Sequence, residues 1–409
     1  MNKLQKTLAT ATATAAILTQ AVMPAFAVDL VITGNGTDSA NEIAISNTND
    51  TLVTQSNDTS VENEVEVNAN TGGNSASDNT GGDVHVETGD ADVTVDIANM
   101  LNSNVADVES CGSCVGDTMI AIDGNGSDTW NSVGLESVNR VELYQDNKAD
   151  VENEVEVDAN TGDNNADDNT GGDIVVLTGD VDVALTATTV ANSNSASMGA
   201  SEEEGSSVGV VVTGNGTGSA NEALLSLRRG SLVAQENKTE IENDFDVDGS
   251  SGENNADDNT GGDVAIATGD VDIMADVMNS AGFNHYDDGD CCFDDVWAKI
   301  GENGSDTWNQ IAAELKSKDE VYQDNLCGTR HHDKEDSLAS LFGFDMMGGH
   351  KDQPCFENEL ELDGVTGDNN ADDNTGDAES DPVILTGDAY IDASVVNEGG
   401  SNVMGEFDG

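Results

Sequence analysis

The sequence predicts an all-β chain, a β-solenoid (β-helix) assembled from four repeats of about 90 residues. Three observations predict it. One stretch recurs four times: NTGGNSASDNTGGDVHVETGD at 70–90, NTGDNNADDNTGGDIVVLTGD at 160–180, SSGENNADDNTGGDVAIATGD at 250–270 and VTGDNNADDNTGDAESDPVILTGD at 365–388. Its Asn79 returns as Asn169, Asn259 and Asn374, at spacings of 90, 90 and 115 residues. Apolar residues in each repeat follow a period of two, the period of a strand with one buried face. A TGD turn signal precedes each such segment, with Gly free to take positive φ. Tandem β-sandwich repeats are the alternative, because 90 residues is near a sandwich's size.

The elements follow in order. Residues 1–27 read as a secretory signal: Lys3 and Lys6, an apolar Ala/Thr-rich stretch over 8–23, and Ala25-Phe26-Ala27 as a small-x-small cleavage site. Repeat 1 spans 28–117, repeat 2 118–207, repeat 3 208–297 and repeat 4 298–409. Odd repeats open on TGNGT and even ones on GSDTWN. Trp130 and Trp308 stand 178 residues apart, as do Tyr144 and Tyr322. A duplicated pair of repeats explains this. Four strand–turn pieces per repeat predict short rungs of about 22 residues each, stacked over one narrow core.

Parity identifies the inward side. Val181, Val183, Leu185, Ala187 and Thr189 form one row, matched by Ala91, Val93, Val95 and Ile97 in repeat 1. VENEVEV (61–67) aligns without gaps to VENEVEV (151–157), IENDFDV (241–247) and FENELEL (356–362). The same parity turns Asn63, Asn153, Asn243 and Asn358 inward, so a ladder of stacked amides is expected, each satisfying the next. A turn role for these asparagines is the plainer alternative.

Composition narrows the function. The 409 residues carry 81 acidic and 13 basic side chains, a formal charge of −68. Phosphate backbones need Lys and Arg, so nucleic acid is excluded as a partner. Anionic membranes repel such a chain, and past the leader no run of about 20 apolar residues suggests membrane insertion. The expected partners are cations, surface glycans and other extracellular proteins. Six cysteines (Cys111, Cys114, Cys291, Cys292, Cys327 and Cys355) in an exported chain suggest disulfides.

The candidate metal ligands are the carboxylates of the recurring stretch. They are Asp163, Asp167, Asp168, Asp173 and Asp180 in repeat 2, Asp257, Asp258, Asp263 and Asp270 in repeat 3, and Asp372, Asp373 and Asp377 in repeat 4. Hard oxygens on Gly-containing turns suit Ca²⁺, which takes six to eight oxygens. The spacing matches neither an EF-hand loop nor the nine-residue period of calcium β-rolls, and a solvated acidic face is the alternative. Trp130 and Trp308 are candidate ligand contacts that could stack on sugar rings, or else fill the core. An insertion at 327–355 separates Cys327 from Cys355, which would close it as a loop. It holds His331, His332 and His350 and a helix-like stretch at 336–347.

The run G-x-N-x-A-x-x-N at Gly162–Asn169 resembles the turn pattern of curlin-type solenoid repeats. Over 28–409 the chain more closely resembles the NTG–NTGGD–TGD repeats of uncharacterised exported proteins of uncultured bacteria. That resemblance implies export and a repeat fold, and supplies no activity. No nucleophile–base arrangement recurs, and carboxylate pairs are so common that none is singled out for glycoside cleavage. The chain is therefore expected to be a secreted, non-catalytic structural or adhesive element at the cell surface or in a matrix, with Ca²⁺ as its cofactor. A carbohydrate-binding or carbohydrate-cleaving β-helix is the alternative.

Overall fold

The structure, a computed structural model, describes residues 17–22, 29–109, 118–198, 207–288, 295–327, 355–375 and 382–405. Every element among them is a β-strand. A short β1 (Ile17–Val22) precedes four coils. The first coil contains β2 (Asp29–Thr33), β3 (Ala40–Asn70), β4 (Val84–Glu87) and β5 (Ala91–Glu109). The second contains β6 (Thr118–Asp123), β7 (Trp130–Asn160), β8 (Ile174–Leu177) and β9 (Val181–Met198). The third contains β10 (Ser207–Thr213), β11 (Ala220–Ser250), β12 (Val264–Ala267) and β13 (Val271–Asp288). The fourth contains β14 (Asp295–Gly301), β15 (Trp308–Cys327), β16 (Cys355–Val365), β17 (Val383–Leu385) and β18 (Ala389–Met404).

Equivalent strands of successive coils pair in parallel and in register, giving sheets ordered β14-β10-β6-β2, β15-β11-β7-β3, β17-β12-β8-β4 and β1-β5-β9-β13-β18. The chain is a β-solenoid in which each repeat makes one coil. The expected short rungs of about 22 residues are thus wrong: Val61 lies beside Val151 and Ala91 beside Val181, 90 residues on each time. The reason is the length of the main strand. β3, β7 and β11 each run for 31 residues, about 100 Å at 3.3 Å per residue. Polar segments such as SNTNDT (46–51), rich in residue types common in turns, are strand.

The long sheet is one wall of the coil. Its N-terminal part packs against the β2-type sheet through Val133, Leu135, Ile120 and Ile122. Its C-terminal part packs against the β5-type sheet through Val155, Val157, Val183 and Leu185. The short β4-type sheet and the turn alanines Ala166 and Ala256 close the far end as a separate small core. The inward rows fall where parity places them. Val181, Val183, Leu185, Ala187 and Thr189 are all buried.

Polar columns run through this core. Asn63 Nδ2 donates to Asn153 Oδ1 at 2.8 Å, Asn153 to Asn243 at 2.6 Å, and Asn243 to Asn358 at 2.7 Å. The ladder expected there is present. Others follow the same rule at Asn41–Asn131–Asn221–Asn309 and Asn57–Asn147–Asn237–Asn325. A glutamine ladder, Gln55–Gln145–Gln235–Gln323, runs the opposite way, each amide donating to the preceding coil. In a buried site every amide must find a partner, and an identical residue one coil away supplies it.

β1 lies inside the segment expected to be a leader. It pairs with β5 from Ile17↔Asn104 to Val22↔Glu109.

Candidate functional site

The recurring Asp/Gly stretch is the turn at the far end of each coil, and its backbone stacks as regularly as the strands. Asp78 N–H donates to the Asp167 carbonyl and Val84 N–H to the Asp173 carbonyl. Asp163, Asp168, Asp258 and Asp373 hold positive φ between 51° and 58°, the left-handed region that Asp tolerates better than most non-Gly residues. The NTG glycine is required by close approach. A Cβ on Gly162 would fall on the carbonyl oxygen of Gly252 in the next coil.

The carboxylates of these turns mostly bind protein. Asp173 Oδ1 accepts the Asp263 N–H at 3.0 Å, Asp180 Oδ1 the Asp270 N–H at 2.9 Å, and Asp270 Oδ1 the Asp388 N–H at 2.8 Å. Asp167 takes the Asp257 N–H on Oδ1 and the Asn255 amide on Oδ2, both at 2.7 Å, and Asp257 Oδ2 accepts from Asn370 at 3.3 Å. Asp372 sits in the equivalent fourth-coil turn, and Asp377 lies outside the described residues. Among the described residues, no three His, Cys, Asp or Glu side chains converge as a metal shell. The candidate ligands are instead stacked in columns, one per coil.

Columns of like charge leave an electrostatic signature. Burial raises the Asp182 carboxyl above its ordinary value, and Asp92 and Asp272, one coil to either side, raise it further. A hydrogen bond with Asp163 raises Glu253, followed by the charge of Asp163 itself. Burial also lifts Asp248 and Asp258, helped by Asp246 and by Asp257 respectively and then by their column neighbours. The outer face of the long sheet carries a further array of stacked carboxylates. Register places Glu62–Glu152–Glu242–Glu357, Glu64–Glu154–Asp244–Glu359 and Glu66–Glu156–Asp246–Glu361 in adjacent columns. Neighbouring carboxylates are about 4.8 Å apart between coils and about 6.7 Å along a strand.

Trp130 and Trp308 do not fill the core. They are 44 % and 52 % exposed on the outer face, in one column with Ala220 between them. Tyr144, Ala234 and Tyr322 repeat the pattern. Aromatic–small–aromatic columns are how the odd–even difference between repeats appears in space, two coils or about 9.6 Å apart.

Sequence reasoning missed a local basic group. Arg228 reaches Glu314 at 2.7 Å, Lys316 reaches the same carboxylate at 2.7 Å, and Arg140 lies 3.8 Å from Asp50. Lys316 and Arg228 hold the Glu314 carboxyl down at about 2. These residues are scattered in sequence, and only stacking gathers them.

Cys111, Cys114, Cys291 and Cys292 lie outside the described residues, as does the body of the insertion with its histidines. The insertion's two ends are placed. Cys327 aligns with Thr239 and Cys355 with Glu240, so the chain leaves and re-enters the ladder at adjacent positions. Cys355 does not carry a free thiol. Among the described residues no helix is long and apolar enough to cross a membrane. Comparison with protein-family models, with curated proteins and with solved structures gave no match.

Proposed function

We propose that the chain is an exported, non-catalytic scaffold: a rigid acidic plate acting at a cell surface or in an extracellular matrix, stabilised by Ca²⁺. The observation that carries this reading is the grid of carboxylates on the outer face of the long sheet, typified by Glu64, Glu154, Asp244 and Glu359. Carboxylates about 4.8 Å apart repel each other. A hard cation taking one oxygen from each of two neighbouring coils, and water for the rest, relieves that repulsion within the usual Ca²⁺–O range of about 2.3–2.6 Å. The plate is held by main-chain ladders and amide columns, so its interior side chains serve the structure. A Cys327–Cys355 bridge closing the insertion is part of the proposal, because the chain leaves and re-enters the ladder at these two residues.

Thermal unfolding tests it. Millimolar Ca²⁺ is expected to raise the melting temperature well beyond NaCl of equal ionic strength. Equal shifts in the two salts would refute a Ca²⁺-specific role.

The Trp130–Ala220–Trp308 column favours a second reading, a carbohydrate-binding face. Two exposed indoles flanking a small residue, about 9.6 Å apart, offer two stacking surfaces along one line.

A further inference from the structure

Among the described residues the fourth coil is the outermost of the stack. Ile391, Val395 and Ile384 are 43 %, 43 % and 40 % exposed. Their column neighbours one coil earlier, Ile273, Val277 and Ile266, are no more than 2 % exposed. These residues continue the inward rows of the preceding coils, and among the described residues no strand pairs with the far edge of β17 or β18. Parallel strands at this edge carry the same hydrogen-bonding groups that every interior strand uses to hold its neighbour.

Polarity says what completes the surface. In the asparagine columns each Nδ2 donates toward the later coil and each Oδ1 accepts from the earlier one, as in Asn63→Asn153→Asn243→Asn358. The last coil therefore presents amide N–H groups, and the first presents carbonyl oxygens. The glutamine column is reversed at both ends, so it too pairs donor with acceptor across a first-on-fourth contact. A strand 31 residues long with amides at these positions is found in the first coil of this chain, in β3.

We propose that the first coil of a second copy stacks on the fourth coil of the first, so that the chain polymerises head to tail. The contact repeats the relation between coils within the chain. Such a heterologous contact does not close on itself and gives an open rod, growing by about 19 Å per copy for four coils at about 4.8 Å. β1 acts as a cap. It occupies the first-coil edge at Asn104–Glu109, where Asn402 to Met404 of an incoming copy would lie by register. Removal of a leader ending at Ala27 exposes that edge. Stacking also adds one more step to each acidic column, so salt, Ca²⁺ and mild acid favour growth. The proposal rests on the scaffold reading for its setting and on the coil geometry for its mechanism.

The test compares three proteins by analytical ultracentrifugation and negative-stain microscopy, at rising protein concentration in high salt with Ca²⁺. The chain starting at Val28 is expected to form rods in whole multiples of the monomer mass. The full chain is expected to stay monomeric. The chain starting at Val28 with Ile391→Asp and Val395→Asp is expected to lose rod formation while keeping its circular dichroism and melting temperature. If that pair perturbs folding, Ile384→Asp alone serves in its place. A monomeric Val28 chain, or a folded variant that assembles undiminished, overturns the proposal, and assembly of the full chain overturns the capping role of β1. Rods that form while Ca²⁺ melting shifts equal those in NaCl would leave stacking intact and sink the Ca²⁺ reading. The reverse result would do the opposite.

Discussion

Asn153 donates its side-chain amide to Asn243 at 2.6 Å, and the two residues lie 90 positions apart in the sequence, both buried. Asn153 Oδ1 also accepts from Asn63 at 2.8 Å and from Asn99 at 3.1 Å. One side chain thus ties three coils and both walls together. Asn153→Ala removes it and leaves buried amide groups on each side without a partner. At about 1–3 kcal/mol for each unsatisfied group, we expect a loss of about 3–5 kcal/mol in chemical unfolding. Asn68→Ala, on the exposed face, serves as the control and is expected to change stability by less than about 0.5 kcal/mol.

Gly162→Ala is the second test. The added methyl falls on the Gly252 carbonyl, so either the turn or the stack must shift. Overpacking of this kind costs about 1–3 kcal/mol. The same substitution at Gly73, where a Cβ would meet nothing, carries only the strain of its positive φ and is expected to cost less.

Stability should rise as pH falls from neutrality. Asp182, Asp248, Asp258 and Glu253 all have folded-state values raised above the ordinary carboxyl values of 3.8 and 4.5. The native state therefore binds their protons more tightly than the unfolded chain does. Their contribution is fully present below the ordinary values and is lost as pH rises through the raised ones. Glu314 works in the other direction. Its value of about 2 gives stability above 4.5 that is lost as pH falls toward 2. We expect the melting temperature to increase from pH 7 to a maximum in the mildly acidic range and then decline. A melting temperature that falls steadily from pH 7 downward would contradict the role given to the columns.

Trp130→Ala and Trp308→Ala separate the two functional readings. Both indoles are about half exposed, so each substitution is expected to cost less than about 1 kcal/mol. Glycan-array binding that is present in the native chain and lost in both variants would support the carbohydrate-binding face. Unchanged surface binding would leave the scaffold reading alone.

Much of the fold was legible in the sequence, for physical reasons. Parity fixes faces, so the inward rows at Val181–Thr189 and the Asn63 ladder could be read from aligned repeats. Coil length could not. A period of two runs unchanged through a strand and carries no mark of where the strand ends, and the Asn-, Ser- and Thr-rich middle of β3 looks like loop. It is strand because Asn57 and Gln55 pair with their own copies in the next coil, a stabilisation that exists only after stacking. The carboxylates of the turn were easy to find and easy to misread. Asp173 and Asp180 serve first as acceptors for the next coil's backbone, a role that leaves the same residues in the sequence as a metal site would. The Trp130–Ala220–Trp308 column was half visible, as a spacing of 178 residues. Seeing it as one column required knowing that each repeat makes a single coil.

That single-coil geometry is the central claim, and Lys148 tests it most directly. Its ammonium lies 3.4 Å from the carboxylate of Asp58, one coil away and 90 residues earlier. Zero-length carbodiimide coupling of the dilute monomer, read by peptide mass spectrometry, should give an intramolecular Lys148–Asp58 amide. Coupling of Lys148 only to its sequence neighbours Asp146 and Asp150 would contradict one coil per repeat.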